Sequence, residues 1–167
     1  NGQPIVETVS AGGLLDAGPF GVALDRDGTI IVGAGFFVGP NSPPPSGLPA
    51  VIRIDPATGT QTLVSPIPLG SGGFVNPYWV AVEADGSIIV SDQEAFGAPD
   101  PISGTRQGAL FRVNPTTGEQ TLLAGGDNLG DPNGVVIVPG VIPPPVVPVV
   151  LVHGMGGSPA SFGDMPR

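Results

Sequence analysis

The strongest constraint on this chain is that it repeats itself. "VALDRDGTIIV" at 22–32 matches "VAVEADGSIIV" at 80–90 at seven of eleven positions. "VIRIDPATGTQTLVS" at 51–65 matches "LFRVNPTTGEQTLLA" at 110–124 at seven of fifteen. The two matches are offset by 58 and 59 residues, so one unit recurs at that period. The flanks continue it: "TVSAGGLLDAGPFGV" (8–22) aligns without gaps on "TLLAGGDNLGDPNGV" (121–135). The chain therefore reads as the last strand of one unit, two whole units and the first strand of another.

Each unit reads as four short antiparallel strands, a to d. "GVALD" alternates apolar and polar residues, "DRDG" supplies turn residues, and "TIIVG" is a β-branched run, so strands a and b form a hairpin. "AVIRID" alternates again, "PATG" is a turn built on Pro56 and Gly59, and "TQTLVS" closes the unit. No segment carries helical periodicity. The expected fold is all-β: two full and two partial four-stranded blades, followed by a Pro-rich extended tail.

Tandem four-stranded units are the pattern of β-propeller blades. The residues from Pro19 to Val32 with Val51 to Gly59, and from Pro77 to Val90 with Leu110 to Gly118, resemble NHL, SMP-30-like and streptogramin-lyase-like propeller repeats. The resemblance covers about 5–139 and is specific to the blade, not to one of these families. A closed propeller needs about four to eight blades. A ring of several chains, an open stack or a longer parent protein would each supply the missing ones, because a blade buries its faces only against neighbours.

Composition narrows the function classes. Five Arg stand against fourteen Asp and Glu, for a formal charge of −9, which argues against nucleic acid and anionic membrane surfaces. The longest apolar run, 141–152, is interrupted by Pro143, Pro144, Pro145 and Pro148 and is too short for a membrane span. There is no Cys, hence no disulfide framework and no thiolate metal site. The chain opens at Asn1 without a charged-then-apolar segment, which fits a processed, secreted protein.

Several residues are candidates for chemistry. "DRDG" and "EADG" look like calcium loops, but counting from Asp25 the twelfth position, which must be a carboxylate, is Phe36. They are expected to be hairpin turns. Resemblance to SMP-30-like lactonases, whose channel metal is held by Glu, Asp and Asn, draws attention to Asn76 and Asp92. The first unit has Gly33 and Ala34 where the second has Ser91 and Asp92, so a ring of ligands is not repeated, and solvated loop residues are the simpler expectation. The long b–c connections carry Phe36, Phe37 and Phe96, which are placed either to bind a ligand or a subunit or to cover an edge strand. Tyr78 and Trp79, at the start of strand a, are expected in the core; Gly21 and Gly134 occupy the position of Trp79 elsewhere.

"PVVLVHGMGGSPASF" resembles the first strand and oxyanion turn of a lipase or esterase of the α/β-hydrolase fold. The resemblance implies that His153, Gly154 and Met155 form an oxyanion-type turn, whose amides stabilise a tetrahedral intermediate. No G-x-S-x-G elbow, the nucleophile signature of that fold, occurs in the chain. No catalytic residue is assigned and no cofactor is implied. Residues 1–139 are read as the repeat module, 140–148 as a Pro-rich linker and 149–167 as the truncated hydrolase-like strand and turn, or as a strand for assembly on another subunit's sheet edge. The expected function is a non-enzymatic binding or scaffold module that completes its fold as a homo-oligomer. The alternatives are the accessory part of a secreted lipase or esterase, inactive as this fragment, and a metal-dependent propeller lactonase or lyase.

Overall fold

In a computed structural model of the chain, the residues described are 7–35, 49–66, 73–96, 107–126, 129–138 and 149–153. Two four-stranded antiparallel sheets hold the two repeats. The first contains β1 (Pro19–Leu24), β2 (Ile30–Ala34), β3 (Ala50–Ile54) and β4 (Gln61–Pro66) in that order; the second contains β5 (Pro77–Val82), β6 (Ile88–Asp92), β7 (Ala109–Val113) and β8 (Gln120–Gly125). A third, two-stranded sheet pairs β9 (Pro132–Ile137) with β10 (Val149–His153). The only helical element among the described residues is a 3-10 turn at Gly13–Ala17. These are tandem propeller blades.

Local chemistry explains the hairpins. In "DRDG" the Asp25 N–H donates to Thr29 O (2.8 Å), the Gly28 N–H to Asp25 O (3.0 Å) and the Thr29 N–H to Asp27 Oδ1 (2.9 Å). "EADG" repeats the set through Glu83, Asp85, Gly86 and Ser87. Gly28 and Gly86 have φ of 85° and 89°, a left-handed conformation that glycine adopts without a Cβ penalty. Hydrogen bonds from the loop hold the carboxyls of Asp27 and Asp85 below the usual range. These loops are turns, as their composition predicts.

Consecutive blades stack face to face. Ile31 and Val51 of the first blade pack with Val80, Ile88, Val90, Phe111 and Val113 of the second in one buried cluster, which also takes in Phe74. Phe74 meets Phe111 edge-on at 5.3 Å. The other face of the second blade, through Ala81 and Ile89, packs on Val135 and Ile137 of β9. The other face of the first blade holds Val32, Ala34, Ala50, Ile52 and Ile54, covered in part by Leu15 from the 3-10 turn.

The repeat extends to irregularities. The β1–β2 register skips Phe20 and the β5–β6 register skips Tyr78. These two bulged rings stack on each other across the blades at 4.1 Å. The β9–β10 pair skips Asn133 in the same way, so that Pro132 faces His153 as Pro19 faces Ala34 and Pro77 faces Asp92. By register, β10 therefore stands where strand b of a third blade belongs. The strand expected at 149–152 pairs with the chain's own β9.

The preceding unit is represented differently. Residues 7–11 form no strand, yet they lie where a fourth strand would. Ser10 Oγ donates to Gly59 O (2.8 Å), as Ser65 Oγ of β4 donates to Gly118 O (2.7 Å) of the next blade. Those contacts set Ser10 against Ser65, one residue off the gapless alignment of 8–22.

Candidate functional site

The polar residues with the most organised geometry gather at the end of the blades where strand a begins and strand b ends. Asp92, the last residue of β6, is fully buried. Its Oδ2 accepts the backbone N–H of Val75 (2.7 Å) and of Asn76 (2.9 Å), and its Oδ1 accepts that of Glu94 (2.9 Å). Burial nevertheless pushes its carboxyl up to about 6, with the Val75 and Asn76 hydrogen bonds opposing. Asp92 thus pins the segment entering strand a to the corner leaving strand b.

Asn76 is buried as well, directed at the first blade: a Cβ on Gly35 would collide with its Oδ1. The expectation that Asn76 and Asp92 are solvated loop residues is therefore corrected. They lie beneath the rim, because three backbone donors need an acceptor that water cannot supply there. Next to them, Gln93 donates through Nε2 to Asn133 Oδ1, tying the second blade to β9. Among the described residues no group of three or more His, Asp or Glu is placed to hold a metal ion.

The aromatic candidates divide. Phe36 and Phe37 lie outside the described residues. Phe96 is half-exposed, but its ring lies so close over Gly125 of β8 that no Cβ fits there. Its N–H donates to Gln107 O (3.1 Å), which folds the start of the b–c connection back over its own blade. Trp79, expected in the core, is 37% exposed, a correction with a plain cause. The corresponding position in the first blade, Gly21, is buried against the second blade's backbone and admits no side chain, whereas Trp79 lies on the second blade's other face. Tyr78 is half-buried, in its stack with Phe20.

Of the oxyanion-type residues, Gly154 and Met155 lie outside the described residues. His153 is the last residue of β10, opposite Pro132. Its place by register is that of Asp92 and Ala34.

Two interactions escaped sequence reasoning. Glu83, buried at the end of strand a, receives both Nε (2.6 Å) and Nη2 (2.9 Å) of Arg112. In the first blade the equivalent residues are Asp25 and Arg53, and Arg53 Nε is buried without a hydrogen-bond partner. Gln120 donates to Ser65 Oγ (2.7 Å) and accepts from the Phe74 N–H (2.9 Å), sewing the blades together at their outer edge. Gln61 does the same with Ser10 (2.9 Å), Gly12 O (2.9 Å) and the Leu14 N–H (2.7 Å). The available signal was that Gln61 and Gln120 are among the seven identical positions of the two segments.

The fold and this geometry define a segment of β-propeller. No family model matches the chain, and no curated protein matches it. Among solved structures it is similar to the PQQ-bound form of aldose sugar dehydrogenase from Streptomyces coelicolor, with a TM-score of 0.50 and 17% identity. The match covers 81% of this chain and 38% of that one. A likeness this distant concerns the blade architecture alone.

Proposed function

We propose that this chain is a non-enzymatic scaffold module that works by assembling with copies of itself through its blade faces. The observation that carries this reading is the outward face of the first blade. There Val22 and Leu24 of β1 are exposed beside the row Val32, Ala34, Ala50, Ile52 and Ile54, which is itself buried in part under Leu15. Each such side chain gains about 1.5–3 kcal/mol when fully buried. An exposed apolar pair on the inner strand of a blade face supports a contact with another blade there. The polar groups at the rim favour a scaffold over an enzyme: Asp92, Gln93, Gln61 and Gln120 all hold backbone or neighbouring blades.

The test is mass in solution. Native mass spectrometry and sedimentation of the 167-residue chain are expected to show oligomers whose share grows with concentration. A folded, monodisperse monomer throughout the micromolar range would overturn the reading.

A further inference from the structure

The repeat specifies what should cover the open face. In each unit, strand a turns two equivalent apolar residues towards the preceding blade: Val80 and Val82 in β5, Val135 and Ile137 in β9, Val22 and Leu24 in β1. Val80 is 2% exposed and Val135 5%, because a blade lies on each. Val22 and Leu24 are 61% and 68% exposed. The intramolecular seam thus shows what a filled site looks like.

It also shows what fills it. The first blade receives Val80 on a surface where Gly21 and Gly33 bring backbone close: a Cβ on Gly33 would lie 3.1 Å from Val80 Cγ1. β9 carries Gly134 at the position of Gly21, and an exposed Val136 at the position of Ala23. Its outward face therefore shares one of the two close-approach glycines by which the first blade receives the second, while β10 carries Val152 at the position of Gly33. Within one chain this face and that of Val22 lie at opposite ends of the stack, with the second blade between them.

The outer part of the interface is already present on the receiving side. Ser10 holds Gly59 as Ser65 holds Gly118, so residues 7–12 occupy the place of a preceding blade's outer strand. What is missing over Val22 and Leu24 is an inner pair, strands a and b. β9 and β10 are such a pair, joined in the same register as β5 and β6.

We propose that the β9–β10 half-blade of one copy docks head-to-tail on the outward face of the first blade of a second copy, beside that copy's residues 7–12. The contact joins two different surfaces, so it propagates into rings or open chains rather than stopping at a symmetric dimer. This rests on the self-assembly reading above and adds the partner surface and its polarity.

Complementing variants test it on the 167-residue chain. Leu24→Glu disables the receiving face and Val136→Glu the docking face, both at exposed positions. Each variant alone is expected to be monomeric, and an equimolar mixture to give a dimer containing one of each, identified by native mass spectrometry. Variants that assemble like the parent chain, or a mixture that stays monomeric, would overturn head-to-tail docking while leaving self-assembly standing. A parent chain that is itself monomeric would instead remove the self-assembly reading. If circular dichroism shows that a Glu variant is unfolded, Leu24→Thr and Val136→Thr, which place a polar but β-branched residue in each strand, give the same readout.

Discussion

Gly21 and Trp79 hold the same place in consecutive repeats, and they meet. A Cβ on Gly21 would lie 2.5 Å from Trp79 Cα and 2.8 Å from Tyr78 O. The first strands of adjacent blades therefore run backbone to backbone, and the first of them cannot carry a side chain here. Gly21→Ala forces the blades apart, and overpacking of this kind costs about 1–3 kcal/mol. Urea denaturation should show the loss. Trp79→Gly is the informative contrast: it removes a side chain that is already 37% exposed and should leave the contact with Gly21 intact.

Asp92 makes stability depend on pH. Its carboxyl is pushed up to about 6 in the fold, against about 4 for an unfolded aspartate. The folded state therefore binds this proton more tightly than the unfolded state does. Its contribution improves as pH falls from about 6 to about 4 and is least favourable above 6, a difference of about 3 kcal/mol. Asp92→Asn should abolish this component, and should also destabilise the chain at neutral pH by about 1–3 kcal/mol, because an amide cannot accept from both sides of the corner. Paired denaturation curves of parent and variant between pH 4 and pH 7 check both effects.

Arg112 and Arg53 form a natural comparison. Arg112 has the bidentate Glu83, whereas in the first blade the equivalent of Glu83 is Asp25, one methylene shorter, and the buried Nε of Arg53 has no hydrogen-bond partner. Glu83→Ala should cost about 1.5–3 kcal/mol, the scale of hydrogen bonds to charged groups. Asp25→Glu should stabilise the first blade by up to about 1 kcal/mol. Thermal unfolding of the two variants is expected to move in opposite directions.

The two seam serines differ in burial. Ser65 is fully buried and bridges Gly118 O and Gln120; Ser10 makes the same bridge at a wetter edge. Ser65→Ala leaves the half-buried Gly118 O and Gln120 amide without this partner and should cost about 1–3 kcal/mol, and Ser10→Ala less than that. Equal losses, measured by chemical denaturation, would contradict the assignment of the outer seam to Ser65.

How much was legible in advance follows from the range of each interaction. The turns at 25–28 and 83–86 were legible because the donors, acceptors and glycine that close them lie within five residues. The four-strand unit was legible because alternation and turn chemistry agree twice over. The candidate site was legible only in part. Asn76 and Asp92 were singled out, but their burial depends on the blade corner that folds over them. Phe96 is expected either to bind a ligand or subunit or to cover an edge strand, and its ring lies over Gly125 of the outer strand β8.

By itself the sequence determined the unit, its hairpins and its count, since each depends on short-range periodicity and on glycines that only a turn requires. The tertiary structure decided which face of each sheet meets a neighbour. That choice places Gly21 under another backbone and Trp79 at the surface, and leaves Val22 open where Val80 is covered. It also puts β10 beside β9. Such outcomes depend on residues some sixty positions away, where one repeat meets the next, and identical local patterns cannot distinguish a covered blade from an uncovered one.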